Sequence, residues 1–154
     1  MNKILIPTGD AAEGLEVMYP YQRLVEAGYS VHIAAPSKKT IQTVVHDFEP
    51  GFDTYTEKPW YRVNADVAFA AVDPSQYVGL VLPGGRAPEY IRNDNSLHTI
   101  VRHFLDNRKP VAAICHAALI LIALDAVRER TLTAYPALQP DVERAGGRFE
   151  DREV

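Results

Sequence analysis

The sequence has little sulfur and no excess of positive charge. One cysteine among 154 residues excludes an internal disulfide, so we take a reducing compartment as the default and predict a cytoplasmic protein. The 16 Lys and Arg residues are outnumbered by 20 Asp and Glu residues, and the net charge of −4 argues against a nucleic-acid or anionic-membrane surface. No apolar run is long enough to span a bilayer, and the first residues are interrupted too soon for a signal peptide.

The length and composition are those of a globular protein. A chain of 154 residues with 47% apolar content fits one domain with a single substantial core. No repeat, low-complexity run or dividing linker interrupts it. We therefore predict one domain over residues 1–154, and the composition gives no reason to expect a cofactor or a metal.

The stretch from Lys109 to Leu124 contains the residues best suited to chemistry. Val111–Ile114 is a short apolar run after a proline, which is typical of a strand buried on both faces of a parallel sheet. Residues 117–124 favour a helix. Cys115 and His116 lie between them, and a tight strand-to-helix turn would lift the thiol towards the helix amides and lower its pKa below about 8.5. The alternative is that Cys115 is a buried small apolar residue.

The rest of the chain alternates strands and helices, which predicts an α/β fold. Further strands are predicted at 3–7, 30–35, 77–83, 131–134 and 148–154. Further helices are predicted from about Val17, with Gly28 as the C′ residue just past its end, over 96–107 and over 141–145. Pro20 lacks the N–H that would bond the Glu16 carbonyl, so we expect a loosened first turn there.

The segment 36–76 is more polar and aromatic, and we interpret it as a surface excursion such as a β-hairpin. Its His46, Asp47 and Glu49 could suggest a metal site. No second cluster completes a coordination shell, so a solvated loop is the favoured interpretation.

Two glycines, Gly84 and Gly85, follow the strand that ends near Pro83. Glycines at such a position let backbone amides approach a ligand closely, and the turn could line an oxyanion site. Arg86 and Glu89 come directly after them, and an exposed Arg86–Glu89 ion pair is the alternative to a catalytic role for Glu89.

Four blocks together resemble the PfpI/ThiJ superfamily of intracellular cysteine hydrolases, glyoxalases and stress proteins. The blocks run from Glu13 to Tyr21, from Leu82 to Glu89, from Lys109 to His116 and from Arg130 to Pro136. The resemblance implies a flavodoxin-like three-layer sandwich with a mainly parallel central sheet and a nucleophile elbow. It also implies a homo-oligomer.

The resemblance assigns roles to individual residues. Cys115 matches the nucleophile, and Glu16 matches the acid that hydrogen-bonds its sulfur. His116 matches the histidine after the nucleophile, and Glu89 matches an acid that reaches the histidine of a neighbouring subunit. Gly84, Gly85 and Ala117 would supply backbone donors to an oxyanion. For Glu16, the alternative is a first-turn acid favoured by the helix dipole.

The chain also departs from the family pattern. Ala117 and Ala118 replace the usual Gly-Pro, and Asp125 and Glu129 stand where glycines are expected. The family normally continues past the position of Val154, so we expect the domain to lack the usual C-terminal strand and helix.

Three functions remain open from the sequence. The first is a cysteine-dependent hydrolase of the protease or amidase type, which uses the Cys115–His116 pair on a peptide or small-molecule substrate. The second is a glyoxalase- or deglycase-type enzyme that adds its thiolate to a 2-oxoaldehyde. The third is a non-enzymatic redox-sensing protein whose thiol is oxidised.

Overall fold

The computed structural model describes all residues from Met1 to Val154. Its strands are β1 (Lys3–Pro7), β2 (Ser30–Ala35), β3 (Thr40–Asp47), β4 (Thr56–Asn64), β5 (Val67–Ala68), β6 (Tyr77–Leu82), β7 (Val111–Ala113), β8 (Thr131–Leu132) and β9 (Arg148–Phe149). Its α-helices are α1 (Gly14–Glu26), α2 (Ala87–Ile91), α3 (Asn95–Asp106), α4 (Ala118–Ala123) and α5 (Gln139–Arg144). None of these helices combines the length and the apolar character needed to cross a membrane.

Five parallel strands form the central sheet in the order β5-β2-β1-β6-β7. In the central strand β1, Leu5 packs into one apolar cluster with Phe104 of α3, whereas Ile4 and Ile6 pack into a second cluster with Val17 of α1. Since alternate residues of a strand point to opposite faces, helices cover both faces of the sheet. The predicted flavodoxin-like three-layer α/β fold is confirmed.

Strand β7 differs from its prediction. It lies at the edge of the sheet, and Ala112 is exposed while Val111 and Ala113 are only partly buried. The expectation of a strand buried on both faces is wrong, because one face of β7 opens onto an apolar groove that Leu15, Tyr19 and Val81 also line.

Helix α1 begins at a capped end. Glu13 is its N-cap, and its side chain accepts a hydrogen bond of 2.9 Å from the Glu16 backbone N–H. Despite Pro20, the helix runs without interruption from Gly14 to Glu26. The expected loosening does not interrupt the helix, and the first turn is held at its amide end by the Glu13 cap.

The predicted hairpin is present as the antiparallel pair β3–β4. It docks on the loop between β1 and α1 through backbone bonds, from the Ala11 N–H to the Gln42 carbonyl (2.8 Å) and from the Val44 N–H to the Ala12 carbonyl (2.9 Å). The Trp60 ring covers Gly14, where a β-carbon would come within 1.9 Å of it. The start of α1 and the hairpin are thereby held as one unit.

The last part of the chain has less strand than the sequence predicts. The strands predicted at 131–134 and 148–154 shrink to the two-residue strands β8 and β9, which pair in parallel apart from the main sheet. Asp125 and Glu129 adopt φ of 53° and 60°, so these positions do require the left-handed backbone that glycine adopts most easily.

Candidate active site

Cys115 stands on a sharp turn at the carboxyl end of β7. The Ile114 N–H still bonds the Leu82 carbonyl of β6 at 3.0 Å, and the chain then turns through one 3₁₀ helix (Cys115–Ala117) into α4. Cys115 itself has φ of 56°, which is unfavourable for any residue with a β-carbon. This is the geometry of a nucleophile elbow, where a strained residue is raised above the sheet.

The glycine loop after β6 closes over this elbow. A β-carbon on Gly84 would lie 2.7 Å from Cys115 Cβ and 2.7 Å from Glu16 Oε2, so only glycine fits. The Gly84 N–H donates a 2.6 Å hydrogen bond to Glu16 Oε2. This contact fixes the carboxyl of α1 beside the thiol of the elbow.

The three backbone groups predicted for an oxyanion site are engaged differently. The backbone amides of Gly85 and His116 are oriented so that they favour the charged form of the Cys115 thiol and oppose the rise of its pKa. The Gly84 amide is bonded to Glu16, and the Ala117 amide donates to the Ile114 carbonyl at 2.9 Å inside the 3₁₀ turn. Gly85 and His116 are therefore the donors closest to a reacting group at the sulfur.

Glu16 and Cys115 influence each other's protonation directly. Burial raises the pKa of the Glu16 carboxyl, although the Gly84 amide opposes this effect. Burial, followed by the charge of Glu16, raises the pKa of the Cys115 thiol to about 12. Burial thus favours the protonated form of both groups, and their titrations are coupled.

The predicted lowering of the thiol pKa is not found. The amides of Gly85 and His116 do favour the thiolate, but burial and the Glu16 carboxylate outweigh them. A single 3₁₀ turn separates Cys115 from the six-residue helix α4, so the thiol does not lie directly at the first amides of an α-helix.

His116 lies next to the thiol, with Nδ1 3.3 Å from Cys115 Sγ. It is 8% exposed, and its ring stacks on Tyr135 with centroids 5.0 Å apart. Burial lowers the pKa of the His116 imidazole, and the charge of Glu89 opposes that effect. His116 is therefore a neutral hydrogen-bonding partner of the sulfur near neutral pH.

Glu89 lies on α2 with an exposed side chain, and no hydrogen bond joins it to His116. Its charge reaches His116 within the same chain. The alternative pairing with Arg86 is wrong, because Arg86 Nη2 instead contacts Glu57 Oε1 of β4 at 2.9 Å. Glu89 is thus free to contact another group.

The sequence did not predict that residues of the hairpin β3–β4 and its connecting loop would line one side of the site. A cavity of about 260 Å³ opens over Cys115 and is lined by Glu13, Leu15, Glu16, His46, Phe48, Tyr55, Cys115 and Tyr135. The interpretation of His46 as part of a solvated loop is wrong, since His46 belongs to β3 and its side chain is 9% exposed. Because residues two apart in a strand point to the same face, the position of His46 two residues after Val44, which is buried, was a signal that its side chain points inward. No three His, Cys, Asp or Glu side chains are grouped to hold a metal ion.

The site thus combines an elbow thiol with a buried carboxyl at the carboxyl edge of a parallel α/β sheet. The sequence profile of the DJ-1/PfpI family matches residues 2–154. The chain belongs to this family, and the resemblance to the PfpI/ThiJ superfamily is confirmed.

Similar proteins agree with this assignment. Protein DJ-1 homolog D of Arabidopsis thaliana is 43% identical over 95% of the chain, which spans only 38% of that plant protein. A Pyrococcus horikoshii protein named deglycase is 40% identical over 99% of the chain and 83% of its own length. A two-domain protein with DJ-1/ThiJ/PfpI-like and ferritin-like domains from Anabaena variabilis superposes with a TM-score of 0.86 at 25% identity, over 99% of this chain and 40% of that one.

Proposed function

We propose that the protein is a glyoxalase- or deglycase-type enzyme that acts on 2-oxoaldehydes or on their adducts with amino groups. The observation that carries this proposal is the Cys115 thiol on its elbow beside the buried Glu16 carboxyl, which the Gly84 amide holds in place, beneath a cavity of about 260 Å³. A similar protein 40% identical over 99% of the chain is named a deglycase. This reading was the alternative at the level of sequence, and it now takes precedence over peptide or amide hydrolysis.

The chemistry follows from where the proton resides. When Glu16 holds the proton, the thiolate adds to the aldehyde carbon, a C–S bond forms, and the carbonyl electron pair moves to oxygen. That oxygen takes the proton from Glu16 and leaves a hemithioacetal and a Glu16 carboxylate. The amides of Gly85 and His116 lie at the sulfur, where they can stabilise the developing oxyanion.

Glu16 is then placed to act as a base. It removes the hydrogen of the former aldehyde carbon as a proton, and the electron pair forms an enediol with the adjacent carbonyl. Return of a proton to that adjacent carbon gives a 2-hydroxyacyl thioester, which water hydrolyses to a 2-hydroxy acid and the free thiol. The oxidation of one carbon and the reduction of the other balance, so no external redox partner is needed.

The size of the cavity favours this substrate class over a peptide. Pockets for drug-sized ligands enclose roughly 300–1,000 Å³, and the space over Cys115 is about 260 Å³. A three-carbon aldehyde fits such a space, whereas a peptide substrate also needs an extended groove on both sides of the nucleophile.

A comparison of three substrates tests the proposal. Purified protein is offered methylglyoxal in an amine-free buffer, a fluorogenic peptide set, and dilute peroxide, with Cys115→Ser as the control. We expect consumption of methylglyoxal with formation of lactate, and none by Cys115→Ser. Peptide cleavage without lactate would support the hydrolase, and stoichiometric oxidation of the thiol without turnover would support the redox sensor.

A further inference from the structure

His46 lies in the wall of the cavity and has no role in the steps above. Its Nε2 lies 3.1 Å from Glu57 Oε2, and Glu57 Oε1 contacts Arg86 Nη2 at 2.9 Å. An ionised carboxylate only accepts hydrogen bonds, so Nε2 of His46 carries the hydrogen. Nδ1 makes no hydrogen bond within the protein and keeps its lone pair when the ring is neutral.

The ring of His46 is also fixed by stacking. It lies on Tyr55 with centroids 4.2 Å apart and an interplanar angle of 26°. Tyr55 in turn meets the rings of His116 (6.2 Å) and Tyr135 (5.7 Å) edge to face. Stacking on Tyr55 thus fixes the plane of the His46 ring, and the Glu57 carboxylate fixes one of its nitrogens. An imidazole that a carboxylate orients in this way has the arrangement of a general base.

The other acid–base groups of the site already have hydrogen-bond partners within the protein. His116 Nδ1 contacts Cys115 Sγ at 3.3 Å, the Glu16 carboxyl accepts from the Gly84 amide, and the Glu13 carboxyl accepts from the Glu16 amide. Hydrolysis of an acyl thioester requires a base that can reach a water molecule. His46 is the cavity residue with an unoccupied basic nitrogen.

We propose that His46 Nδ1 is the base that activates water for hydrolysis of the Cys115 thioester, with Glu57 and Arg86 as positioning residues. The inference rests on the proposed function. The water oxygen bonds the thioester carbon while its proton passes to Nδ1. The C–S bond then breaks, its electron pair goes to sulfur, and the proton on His46 returns to the pair formed by Cys115 and Glu16.

A trapped intermediate distinguishes this role from a structural one. We expect His46→Gln to process one methylglyoxal per site and then stall, with kcat lowered about a hundredfold or more. Intact-mass analysis should show the protein plus one substrate, in a form that survives acid denaturation and is released by hydroxylamine. These are the properties of a thioester, whereas a hemithioacetal of the same mass reverses on denaturation. His103→Gln on α3 is the matched control and should behave as wild type.

Glu57→Gln provides a second variant that leaves His46 in place. It removes the charge that orients the imidazole, so kcat should fall with KM unchanged. If His46→Gln fails to fold by circular dichroism, unchanged kcat in Glu57→Gln overturns the inference.

The outcomes separate the inference from the function on which it rests. If wild type forms no lactate, the proposed function itself fails. If wild type forms lactate and a folded His46→Gln turns over within a few-fold of it, the role of His46 is overturned while the function stands. A slow variant whose adduct reverses on denaturation also overturns the role.

Discussion

Five residues other than glycine adopt a positive φ, and one of them is Cys115 of the candidate active site. They are Ala11, Arg108, Cys115, Asp125 and Glu129. A β-carbon in this region costs about 1–2 kcal/mol relative to the right-handed conformation. At Cys115 the strain accompanies the exposure of the thiol at the elbow. Glu129 makes no contact with the site, so removing the backbone strain at this position should leave the activity unchanged.

We therefore expect Glu129→Gly to stabilise the fold, by up to about 1 kcal/mol after the greater freedom of glycine in the unfolded chain is subtracted. The urea midpoint should rise and the activity should stay the same. Glu143→Gly, inside helix α5, is the matched control and should lose about 1 kcal/mol. A lower midpoint for Glu129→Gly would mean that the φ of 60° carries no strain.

Glu16→Gln tests the buried acid through pH. Burial raises the pKa of Glu16 in the folded state above its unfolded value of about 4.3. Its favourable contribution is then full below that value and is lost as pH rises through the folded pKa. Glu16→Gln keeps an acceptor for the Gly84 amide, so it should match wild type near pH 4 in urea unfolding and exceed it at pH 8.

The same variant reports on the thiol. Removing the charge of Glu16 should lower the pKa of Cys115 from about 12, and iodoacetamide labelling against pH measures the midpoint. An unchanged midpoint would show that burial alone sets the thiol pKa. Turnover should be lost in either case, because glutamine has no proton to give.

Most residues of the site could be predicted from the sequence, but the direction in which the thiol pKa shifts could not. Cys115, His116 and Glu16 do come together, since a strand end and a first helical turn can be placed from local patterns. The direction of the thiol pKa was wrong because it depends on burial depth, which four distant segments set jointly. His46 was missed because its inward direction depends on how the hairpin docks.

At the scale of elements, one side chain of the loop that follows β1 adds to the backbone bonds that dock the hairpin β3–β4. Asp10 Oδ1 accepts a 2.9 Å bond from the Gln42 N–H, and its other oxygen pairs with Lys39. Although burial raises the pKa of Asp10, these hydrogen bonds lower it overall. The pairing therefore stabilises the fold above the unfolded pKa of about 3.9 and is lost as pH falls through the folded value.

Asp10→Ala should cost about 1 kcal/mol at pH 7 through the lost backbone bond. The difference from wild type should shrink as pH falls below 4. Asp151→Ala, exposed and without a hydrogen bond, is the control. A cost that is equal at pH 7 and pH 3 would assign the effect to packing instead of charge.

The loop after β6 tolerates no side chain at Gly84. Gly84→Ala places a methyl group 2.8 Å from the His116 backbone nitrogen and against Glu16, so something must shift. We expect a loss of about 1–3 kcal/mol in unfolding free energy and loss of activity. Gly79→Ala in β6 is the matched control, because its methyl group comes close to the flexible end of Ile4 at 2.9 Å and is in ordinary contact with the Pro110 carbonyl at 3.8 Å. Equal activity in the two variants would contradict the close fit at Gly84.

Strands and helices were predicted correctly where a local sequence pattern alone determines where the element begins and ends. Strands β1, β2 and β6 have apolar runs ended by turn residues, and the structure has them at the predicted places to within a residue. Strands β8 and β9 were predicted too long, because pairing partners and not propensity limit a strand near the edge of a sheet. The hairpin was predicted as a possibility, but its docking depends on long-range backbone bonds.

At the scale of the whole molecule, the exposed Glu89 raises the question of a second copy. Its side chain lies on α2 near enough to influence His116, and no partner in its own chain binds it. A symmetric oligomer in which each interface completes two sites would give Glu89 a partner histidine. That arrangement stays a prediction.

Mixed subunits test the shared site. Cys115→Ser and Glu89→Gln should each be inactive alone and should regain part of the activity when exchanged into one oligomer, because one site then combines an intact Cys115 with an intact Glu89. The readout is lactate formation after demonstrated subunit exchange. A mixture that stays inactive, or an active wild-type monomer in sedimentation, would remove Glu89 from the site.

The convergence of distant segments on Cys115 has a consequence for the time course of folding. The first helix, the hairpin, the glycine loop and the elbow must all be in place before the Glu16 carboxyl lies beside the thiol under the cavity. Contacts between such separated segments form slowly, because long loops must close first. During refolding, the Cys115 thiol should therefore label as an ordinary cysteine until the slowest phase, and the chain should spend its early lifetime with its nucleophile unprotected.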